Sequence, residues 1–255
     1  MRIIISPAKK MKTDTDFIME CGTPHFLTDS ERLLSLLRKL NYEELKTLWK
    51  CNDAIATLNA ERIREMDLNR NLTPAIFSYE GIQYQYMAPG VLEMKGLEYL
   101  QQHLRILSGF YGVLRPFDGV VPYRLEMQAK LAGPGFGSLY AFWNRRLAEL
   151  LFAETDCVLN LASKEYSKCI APYLNGNVRM VTCVFGQETS GKIVEKATMA
   201  KMARGEMVRY LAERQITNLE DIKGFTGLDF AFAHERSDER TFVFVQRRTR
   251  GNNDF

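Results

Sequence analysis

The apolar positions of the chain follow a helical period through its middle. Residues 27–50 carry leucines at steps of three and four, which predicts an amphipathic helix capped by Asp29 and a second helix after Asn41. Residues 52–66 continue this pattern, and helical spacing returns in "LEYLQQHLRILSGF", residues 97–110. The middle of the chain is therefore predicted to be mostly helical.

Strand patterns lie toward the two ends. "RIII" at residues 2–5 and "CVLNLAS" at residues 157–163 predict buried strands. Residues 178–197 alternate on both sides of Ser190 and Gly191, which predicts a hairpin, and residues 228–248 predict a second one. The inward-facing candidates of the second hairpin are Phe230, Phe232, Phe242 and Phe244. We predict a single α+β domain over residues 1–255, with strands from both ends sharing one sheet and helices contributed by the middle.

Composition and charge change this picture little. The chain is 46% hydrophobic and 25% charged, as in an ordinary globular protein. Its formal net charge of +3 is compatible with nucleic-acid binding but does not demand it. Any site for an anion must therefore be local.

The cysteines and histidines do not form a recognisable metal or disulfide pattern. Cys21, Cys51, Cys157, Cys169 and Cys183 are an odd set without a C-x-x-C pair, which fits a reducing cytoplasm. His25, His103 and His234 are scattered, so we predict no preformed metal site, and no cofactor motif stands out. The N-terminal apolar run is too short for a signal peptide or a membrane span, so no membrane partner is expected.

One Gly-rich loop invites a phosphate-binding interpretation. "GPGFGS" at residues 133–138 lacks the Lys-Ser/Thr ending of a P-loop and does not follow a predicted strand. We interpret it as a loop whose last residue, Ser138, caps the helix predicted after it.

Polar residues follow two of the predicted strands. Because ligand sites collect outside the carboxyl ends of parallel strands, these two groups are worth pairing, although two solvated loops are the simpler interpretation. They are Ser6, Lys9 and Lys10 after the first strand, and Asn160, Ser163, Lys164, Glu165, Tyr166 and Lys168 after the second.

A second candidate lies on the helix predicted from "KATMAKMARGEMVRYLAER". Lys201, Arg204 and Arg209 share one face with Gly205 near its middle. Gly costs about 1 kcal/mol against Ala in a helix, so its presence needs a reason. Either it lets a phosphate approach between guanidinium groups, or it admits a neighbouring helix.

The third candidate is "LSGFYG", residues 107–112. A helix that ends at Ser108 and Gly109 and restarts after Gly112 leaves backbone N–H groups free for phosphate, with Tyr111 and Arg115 beside them. This is the principle of the helix-hairpin-helix. A structural turn is the alternative, with Phe110 and Leu114 in the core and Arg115 paired to Asp118.

Several of these motifs together resemble the YaaA family of bacterial cytoplasmic proteins. They are "SPAK", "QQHLRILSGFYGVLRPFDGVVPYRLEM", "LYAFW", "NLASKEY" and "ARGEMVR". The resemblance implies a single α+β domain of the unusual "cantaloupe" architecture and protection against peroxide stress through lower intracellular iron. It also implies non-specific binding of double-stranded DNA through a basic cleft and a helix-hairpin-helix-like turn. By position, the turn is Ser108 to Arg115, and the basic cleft residues are Lys9, Arg115, Arg124, Lys164, Lys201, Arg204 and Arg209.

Three hypotheses about function follow. The first is a DNA-binding stress-protection protein whose contacts are mainly to phosphate. The second is an enzyme that acts on a molecule carrying a phosphate or a nucleobase, with Ser6, Glu165 and Tyr166 as catalytic candidates. Its discriminating observation is convergence in one pocket of Ser6, Tyr111, Arg124, Asn160, Glu165, Tyr166 and Arg204. The third is an interaction protein with neither activity.

Cys169 is the remaining candidate, as a redox sensor. Lys168 precedes it, and a nearby cation lowers the pKa of a thiol. The alternative, which we favour, is that Cys157, Cys169 and Cys183 are small hydrophobic residues in or beside strands.

Overall fold

The N-terminal strand lies near the middle of the main sheet. The computed structural model describes residues 1–14 and 22–247, and every structural statement concerns those residues. Cys21 lies outside them. The strands are β1 (Arg2–Ile5), β2 (Lys10–Met11), β3 (Thr73–Pro74), β4 (Tyr79–Glu80), β5 (Leu104–Ser108), β6 (Gly112–Leu114), β7 (Gly119–Val120), β8 (Cys157–Leu161), β9 (Arg179–Thr189), β10 (Lys192–Val194), β11 (Phe230–Phe232) and β12 (Thr241–Gln246).

The main sheet is mixed, with a parallel centre. Its strand order is β11-β12-β9-β8-β1-β5-β6, and β10 pairs with β9. From β12 to β5 all neighbours are parallel, whereas β11, β10 and β6 are antiparallel to their partners. Strands from both ends of the chain therefore share one sheet, and both predicted hairpins are confirmed.

Helices alternate with these strands along the described part of the chain. They are α1 (Leu27–Leu37), α2 (Tyr42–Trp49), α3 (Asp53–Glu65), α4 (Ala75–Ser78), α5 (Ile82–Met87), α6 (Met94–His103), α7 (Leu139–Trp143), α8 (Arg146–Glu154), α9 (Lys164–Ser167), α10 (Ala197–Arg214) and α11 (Leu219–Ile222). The fold class is α+β, as predicted.

The sequence specifies several helix starts through side-chain caps. Asn41 accepts from the backbone N–H of Glu44 and forms a capping box with it, so the second helix begins where predicted. Ser138 accepts from Ala141 N–H, which confirms the predicted cap. The predicted Asp29 cap is wrong, because α1 begins at Leu27 and Asp29 lies within its first turn. Its carboxylate instead pairs with Arg146 at 2.7 Å.

Helix α10 packs closely against α5. A Cβ atom on Gly205 would lie 2.1 Å from the carbonyl oxygen of Gln83 and 3.0 Å from the backbone nitrogen of Met87. Gly205 is therefore required for the close approach of the α10 and α5 backbones, so of the two roles considered for this glycine, admitting a neighbouring helix is the one observed.

The helix predicted over residues 97–110 is partly wrong. Helix α6 ends at His103, and Leu104–Ser108 is a fully buried strand that pairs with β1. A short apolar run that is buried on both faces has no period of its own, so helical spacing upstream does not show where a strand begins.

None of the helices in residues 1–14 and 22–247 combines the length and the apolar content needed to cross a bilayer.

Candidate functional site

A cavity of about 410 Å³ opens at the carboxyl ends of β1 and β8. Loops after these strands, α5, α10 and the extended segment 121–128 form its walls. Its lining residues include Ser6, Lys9, Lys10, Gln83, Tyr84, Tyr123, Arg124, Glu126, Ser163, Glu165, Tyr166, Lys201 and Arg204. Polar residues predicted at two strand ends are thus brought together.

The topology explains this position. From β1 the chain first reaches β5 on one side of it and later returns to β8 on its other side. The chain therefore continues from β1 to strands on opposite sides of it, and the loops at the carboxyl ends of β1 and β8 lead away in different directions. In open sheets with parallel strands, such a switch point creates a crevice outside the strand ends, where ligands bind.

Ser6 and Ser163 connect the two strand ends. Ser6 Oγ accepts the backbone N–H of Ser163 at 2.8 Å and donates to Ser163 Oγ at 3.2 Å. The hydroxyl of Tyr84 donates to the carbonyl oxygen of Ser6 at 3.1 Å. The hydroxyl of Ser6 is thus engaged with Ser163, which makes Ser163 a further polar group of the site.

Two arginines lie deep in the cavity wall with weak protein partners. Arg124 is 10% exposed, and its Nη2 lies 3.3 Å from Glu126 Oε1; Arg204 is 15% exposed, and its Nη2 lies 3.5 Å from Glu195 Oε1. Burial lowers the pKa of Arg204. The Nε atoms of both arginines are buried and have no hydrogen-bond partner among the described residues. Buried donors of this kind are normally satisfied, so these two are exceptions in the wall of the cavity.

Gln83 adds a third unsatisfied donor to the cavity. Its side chain is buried on α5, and its Nε2 has no hydrogen-bond partner in the described part of the chain. An amide presents donor and acceptor together, which suits the edge of a polar ring. The sequence pattern did not single out Gln83.

Three tyrosines give the cavity its aromatic surface. Tyr84, Tyr123 and Tyr166 are buried, and burial raises the pKa of each, to about 12 for Tyr123. Behind the cavity wall, the hydroxyl of Tyr123 is 2.6 Å from Ser108 Oγ and 2.8 Å from the hydroxyl of Tyr79. These contacts fix the ring of Tyr123 in place.

Glu165 lies at the start of α9, directly after the loop of β8. Its Oε1 accepts the backbone N–H of Gln128 at 3.1 Å. Burial raises the pKa of Glu165, and the charge of Glu126 acts in the same direction, while Lys9 and the N–H of Gln128 oppose them. A carboxyl group whose pKa is raised holds its proton to a higher pH than a free one, which suits a role as a proton donor.

The "LSGFYG" turn is not a helix-hairpin-helix element. Ser108 and Gly112 pair across a β-hairpin between β5 and β6, and Ser108, Phe110 and Tyr111 are fully buried. The N–H groups of Phe110 and Tyr111 donate to Ser108 Oγ at 3.1 and 2.8 Å, so they are not free for phosphate. The strand pairing of residues 104–108 leaves no helix to present them. The buried-turn alternative is therefore observed for Phe110 and Leu114, which are fully buried. Its predicted pairing of the Arg115 side chain with Asp118 is wrong, because that side chain faces Glu154 and Asp118 accepts the backbone N–H of Arg115 instead.

Gly109 serves the cavity in a different way. A Cβ atom there would lie 2.4 Å from the carbonyl oxygen of Leu125 and 3.0 Å from the backbone nitrogen of Met127. The glycine lets the segment that carries Arg124 and Glu126 pack directly on the hairpin. It therefore shapes a wall of the site instead of binding an anion through its amide.

Other predicted residues lie away from the cavity. The hydroxyl of Tyr111 accepts from Val121 N–H, and Asn160 is buried and bonded to Thr182. Arg115 faces Glu154 at 3.8 Å, and Arg209 pairs with Glu213 at 2.7 Å. Lys164 is exposed at the start of α9 but does not line the cavity.

Glu126 is the principal residue that sequence reasoning missed. Its Oε1 lies 2.9 Å from Lys9 Nζ and 3.3 Å from Arg124 Nη2. Burial alternates along residues 121–130, so Arg124 and Glu126 fall on one side of an extended segment. That alternation in "VPYRLEMQAK" is the signal that indicates their common direction.

The cysteines and acidic residues form no evident metal site. No group of three or more His, Cys, Asp and Glu side chains within residues 1–14 and 22–247 is placed to hold a metal ion. Cys51, Cys157, Cys169 and Cys183 are free thiols. Burial raises the pKa of Cys169 to about 12, with the charge of Glu165 acting in the same direction.

The chain is similar to known proteins over most of its length. A family model described as "Peroxide stress protein YaaA" matches residues 1–236. A UPF0246 protein of Lachnoclostridium phytofermentans is 56% identical over 246 residues, which are 96% of this chain and 96% of that protein. UPF0246 proteins of Pediococcus pentosaceus and Desulfitobacterium hafniense are 50% and 52% identical, each over 96% of this chain and 98% of their own length.

Proposed function

The chain belongs to the peroxide stress protein YaaA family, and from that premise we propose that it is a cytoplasmic stress-protection enzyme that acts on a small nucleotide-like anion in its cavity. The observation that supports this proposal most is that residues predicted for an enzyme site converge in one cavity. Five of the seven residues named for an enzyme site line one cavity: Ser6, Arg124, Glu165, Tyr166 and Arg204. Tyr111 and Asn160 do not.

The arginines support an anionic ligand. The side chains of Arg124 and Arg204 are mostly covered, each with a carboxylate no closer than 3.3 Å, and each keeps an unpartnered Nε–H in the described structure. Burying a guanidinium without full hydrogen bonding is unfavourable, and a phosphate or carboxylate in the cavity would bring negative charge and acceptor oxygens to guanidinium groups that line it.

The tyrosines are aromatic where the arginines are charged, which supports a planar ring in the same ligand. Tyr84, Tyr123 and Tyr166 line the cavity with aromatic side chains, and the amide-bearing Gln83 lines it as well. A nucleoside monophosphate combines a planar ring with an anion in one small molecule. A cavity of about 410 Å³ is within the range of small-molecule sites, about 300–1,000 Å³.

Duplex DNA is the second candidate ligand, and the exposed lysines at the mouth of the cavity favour it. The side chains of Lys9 and Lys10 are 64% and 79% exposed, and Lys201, which also lines the cavity, is exposed. Lysines in such positions contact backbone phosphates without reading sequence. If DNA is the ligand, the lysine rim, which is formed by Lys9, Lys10 and Lys201, contacts it in place of the helix-hairpin-helix-like turn.

Lower intracellular iron, which the family resemblance implies, enters the proposal as an indirect result. Formation of a product in the cavity, or consumption of a substrate there, would change iron levels, and no iron needs to bind this chain.

The test is a binding measurement by isothermal titration calorimetry with AMP, GMP, CMP, UMP, IMP and inorganic phosphate. We expect micromolar binding of at least one nucleotide and at least tenfold weaker binding by Arg204→Gln. Arg209→Gln is the matched control, because Arg209 lies on the same helix and pairs with Glu213 outside the cavity. Absence of binding by all probes to the folded wild type would overturn the small-molecule proposal.

The DNA candidate is tested in parallel by fluorescence anisotropy of unrelated duplexes across a salt series. Lys9→Gln with Lys201→Gln is expected to weaken all duplexes alike and to lower the salt slope by about one for each lost contact. An unchanged slope would exclude the lysine rim as a DNA contact.

A further inference from the structure

Glu126 is a second carboxylate of the cavity, beside Glu165. Its side chain is 13% exposed, and Lys9 and Arg124 both lie within 3.3 Å of its Oε1. The negative charge of Glu126 is thus balanced by two cations, one at the rim and one in the wall.

Glu126 and Glu165 face the same space. Glu165 Oε1 accepts the N–H of Gln128, which is two residues from Glu126 on the extended segment, and both side chains line the cavity. Their surroundings differ, since Glu126 is paired with Lys9 and Arg124, whereas Glu165 accepts a backbone N–H and is influenced by Lys9 only through its charge. Two carboxyl groups whose environments differ in this way are arranged to divide the roles of acid and base.

We propose that Glu165 and Glu126 are the acid and the base that cleave the N-glycosidic bond of a nucleoside 5′-monophosphate. This inference rests on the proposed function, which supplies the nucleotide. The proposal requires the phosphate at the arginines and the ring against the tyrosines, with the sugar carbon between them within reach of the two carboxyl groups that line the same cavity. Cleavage at that carbon develops positive charge, which a nearby carboxylate stabilises.

The reaction balances with water as the only co-reactant. Protonated Glu165 gives its proton to the ring nitrogen that leaves, and the electron pair of the C1′–N bond goes to that nitrogen. The carboxylate of Glu126 takes a proton from water, whose oxygen forms the new bond to C1′. The products are the free base and ribose 5-phosphate. Proton exchange with solvent returns Glu165 to its acid form and Glu126 to its carboxylate form.

The Ser6 and Ser163 hydroxyls fit this arrangement. They lie at the same strand ends as Glu165, and their oxygens are joined by a hydrogen bond. Hydroxyl groups of this kind are suited to contact the hydroxyls of a ribose.

The experiment uses the full chain with AMP, GMP, CMP, UMP and IMP, each probe assayed separately. Free base is measured by chromatography and ribose 5-phosphate by a reducing-sugar assay, and binding is measured on the same preparations by calorimetry. We expect equal release of both products from at least one nucleotide. Glu165→Gln and Glu126→Gln are expected to lower the rate by about 100-fold or more, in the range of general acid–base effects.

Controls separate chemistry from folding. Glu149→Gln removes an exposed carboxylate that pairs with Arg145 on α8, away from the cavity, and is expected to keep the full rate. Glu126→Asp keeps the charge beside Lys9 and Arg124 if the Gln variant unfolds, and is expected to retain an intermediate rate. The wild-type rate should fall as pH rises through the raised pKa of Glu165, and Glu165→Gln should lack that decline.

The outcomes distinguish the two levels of the proposal. Nucleotide binding without release of base from any of the five would overturn the N-glycosidic inference and leave the proposed function standing. Absence of binding would overturn the proposed function itself. Base release that survives both Gln substitutions would show that other groups do the chemistry, which also overturns the assignment.

Discussion

Ser6 Oγ accepts the backbone N–H of Ser163 at 2.8 Å, although the two residues are 157 positions apart. This bond joins the loop after β1 to the loop after β8, at the point where the chain connections diverge. It also places Glu165, two residues further on, at the edge of the cavity. The same hydroxyl that looks like a nucleophile in the sequence is thus a structural acceptor as well.

Ser6→Ala should therefore destabilise the protein and disturb the cavity together. The substitution leaves the partly buried N–H of Ser163 without its acceptor, which costs about 1–3 kcal/mol. Urea denaturation measures the change. Ser167→Ala is the control, because its hydroxyl makes only a 3.5 Å contact with Lys164 O, and it should cost much less. Equal effects of the two substitutions would contradict a special role for Ser6.

Gly205→Ala should destabilise the protein in spite of the higher helix propensity of Ala. Ala gains about 1 kcal/mol in a helix interior, but its Cβ would meet the backbone of Gln83 at 2.1 Å, and backbone atoms cannot move aside cheaply. We expect a net loss of about 1–3 kcal/mol, measured by chemical denaturation. Gly90→Ala is the control because nothing lies within 4 Å of its added Cβ. A stabilised Gly205→Ala variant would contradict the observed packing of α10 on α5.

Much of the fold was predictable because its elements have clear periods and caps. The amphipathic helices after Asn41 and Ser138 have side chains that fix their first turn. The two hairpins alternate on both sides of a turn, and Ser190 and Gly191 adopt the positive φ that such a turn requires. The strand at residues 104–108 could not be predicted from periodicity, because all five residues are buried and continuous burial has no period.

The site was predictable only where it follows strand ends. Ser6 and Glu165 follow buried strands, so their meeting could be expected from a parallel sheet. Glu126 and Gln83 reach the cavity through close backbone packing at Gly109 and Gly205. Such contacts depend on tertiary packing. A local sequence pattern shows that a glycine is present, but it does not show which distant backbone segment packs against that glycine. This is why glycines first assigned to phosphate binding are packing positions.

Cys169 should resist oxidation by peroxide. The thiolate is the reactive form of cysteine, and burial raises the pKa of Cys169 to about 12, so very little thiolate is present at neutral pH. Intact-mass and peptide analysis after mild hydrogen peroxide should find no selective modification at this position. Selective oxidation of Cys169 ahead of the less buried Cys51 would contradict this and revive the redox-sensor hypothesis.

Asp118 should make the stability of the protein fall as pH rises from about 4 to about 6. Its carboxyl group is buried and accepts the N–H of Arg115 at 2.8 Å, and burial raises its pKa from 3.8 to about 6. Between these values the folded state keeps a proton that the unfolded state has released. The folded state therefore loses stability as pH rises through this window, by up to about 3 kcal/mol.

Asp118→Asn isolates this contribution, because an amide keeps an acceptor for Arg115 N–H and does not titrate. Urea denaturation of both proteins at pH 4, 5, 6 and 7 gives the difference in their free energies of unfolding. That difference should shift in favour of the Asp118→Asn variant as pH rises toward 6 and then level off, since Asp118 is largely ionised in both states above that pH. A constant difference would mean that the Asp118 carboxyl titrates alike in the folded and unfolded chains, and that the nearby Arg105 and Arg115 fully offset its burial.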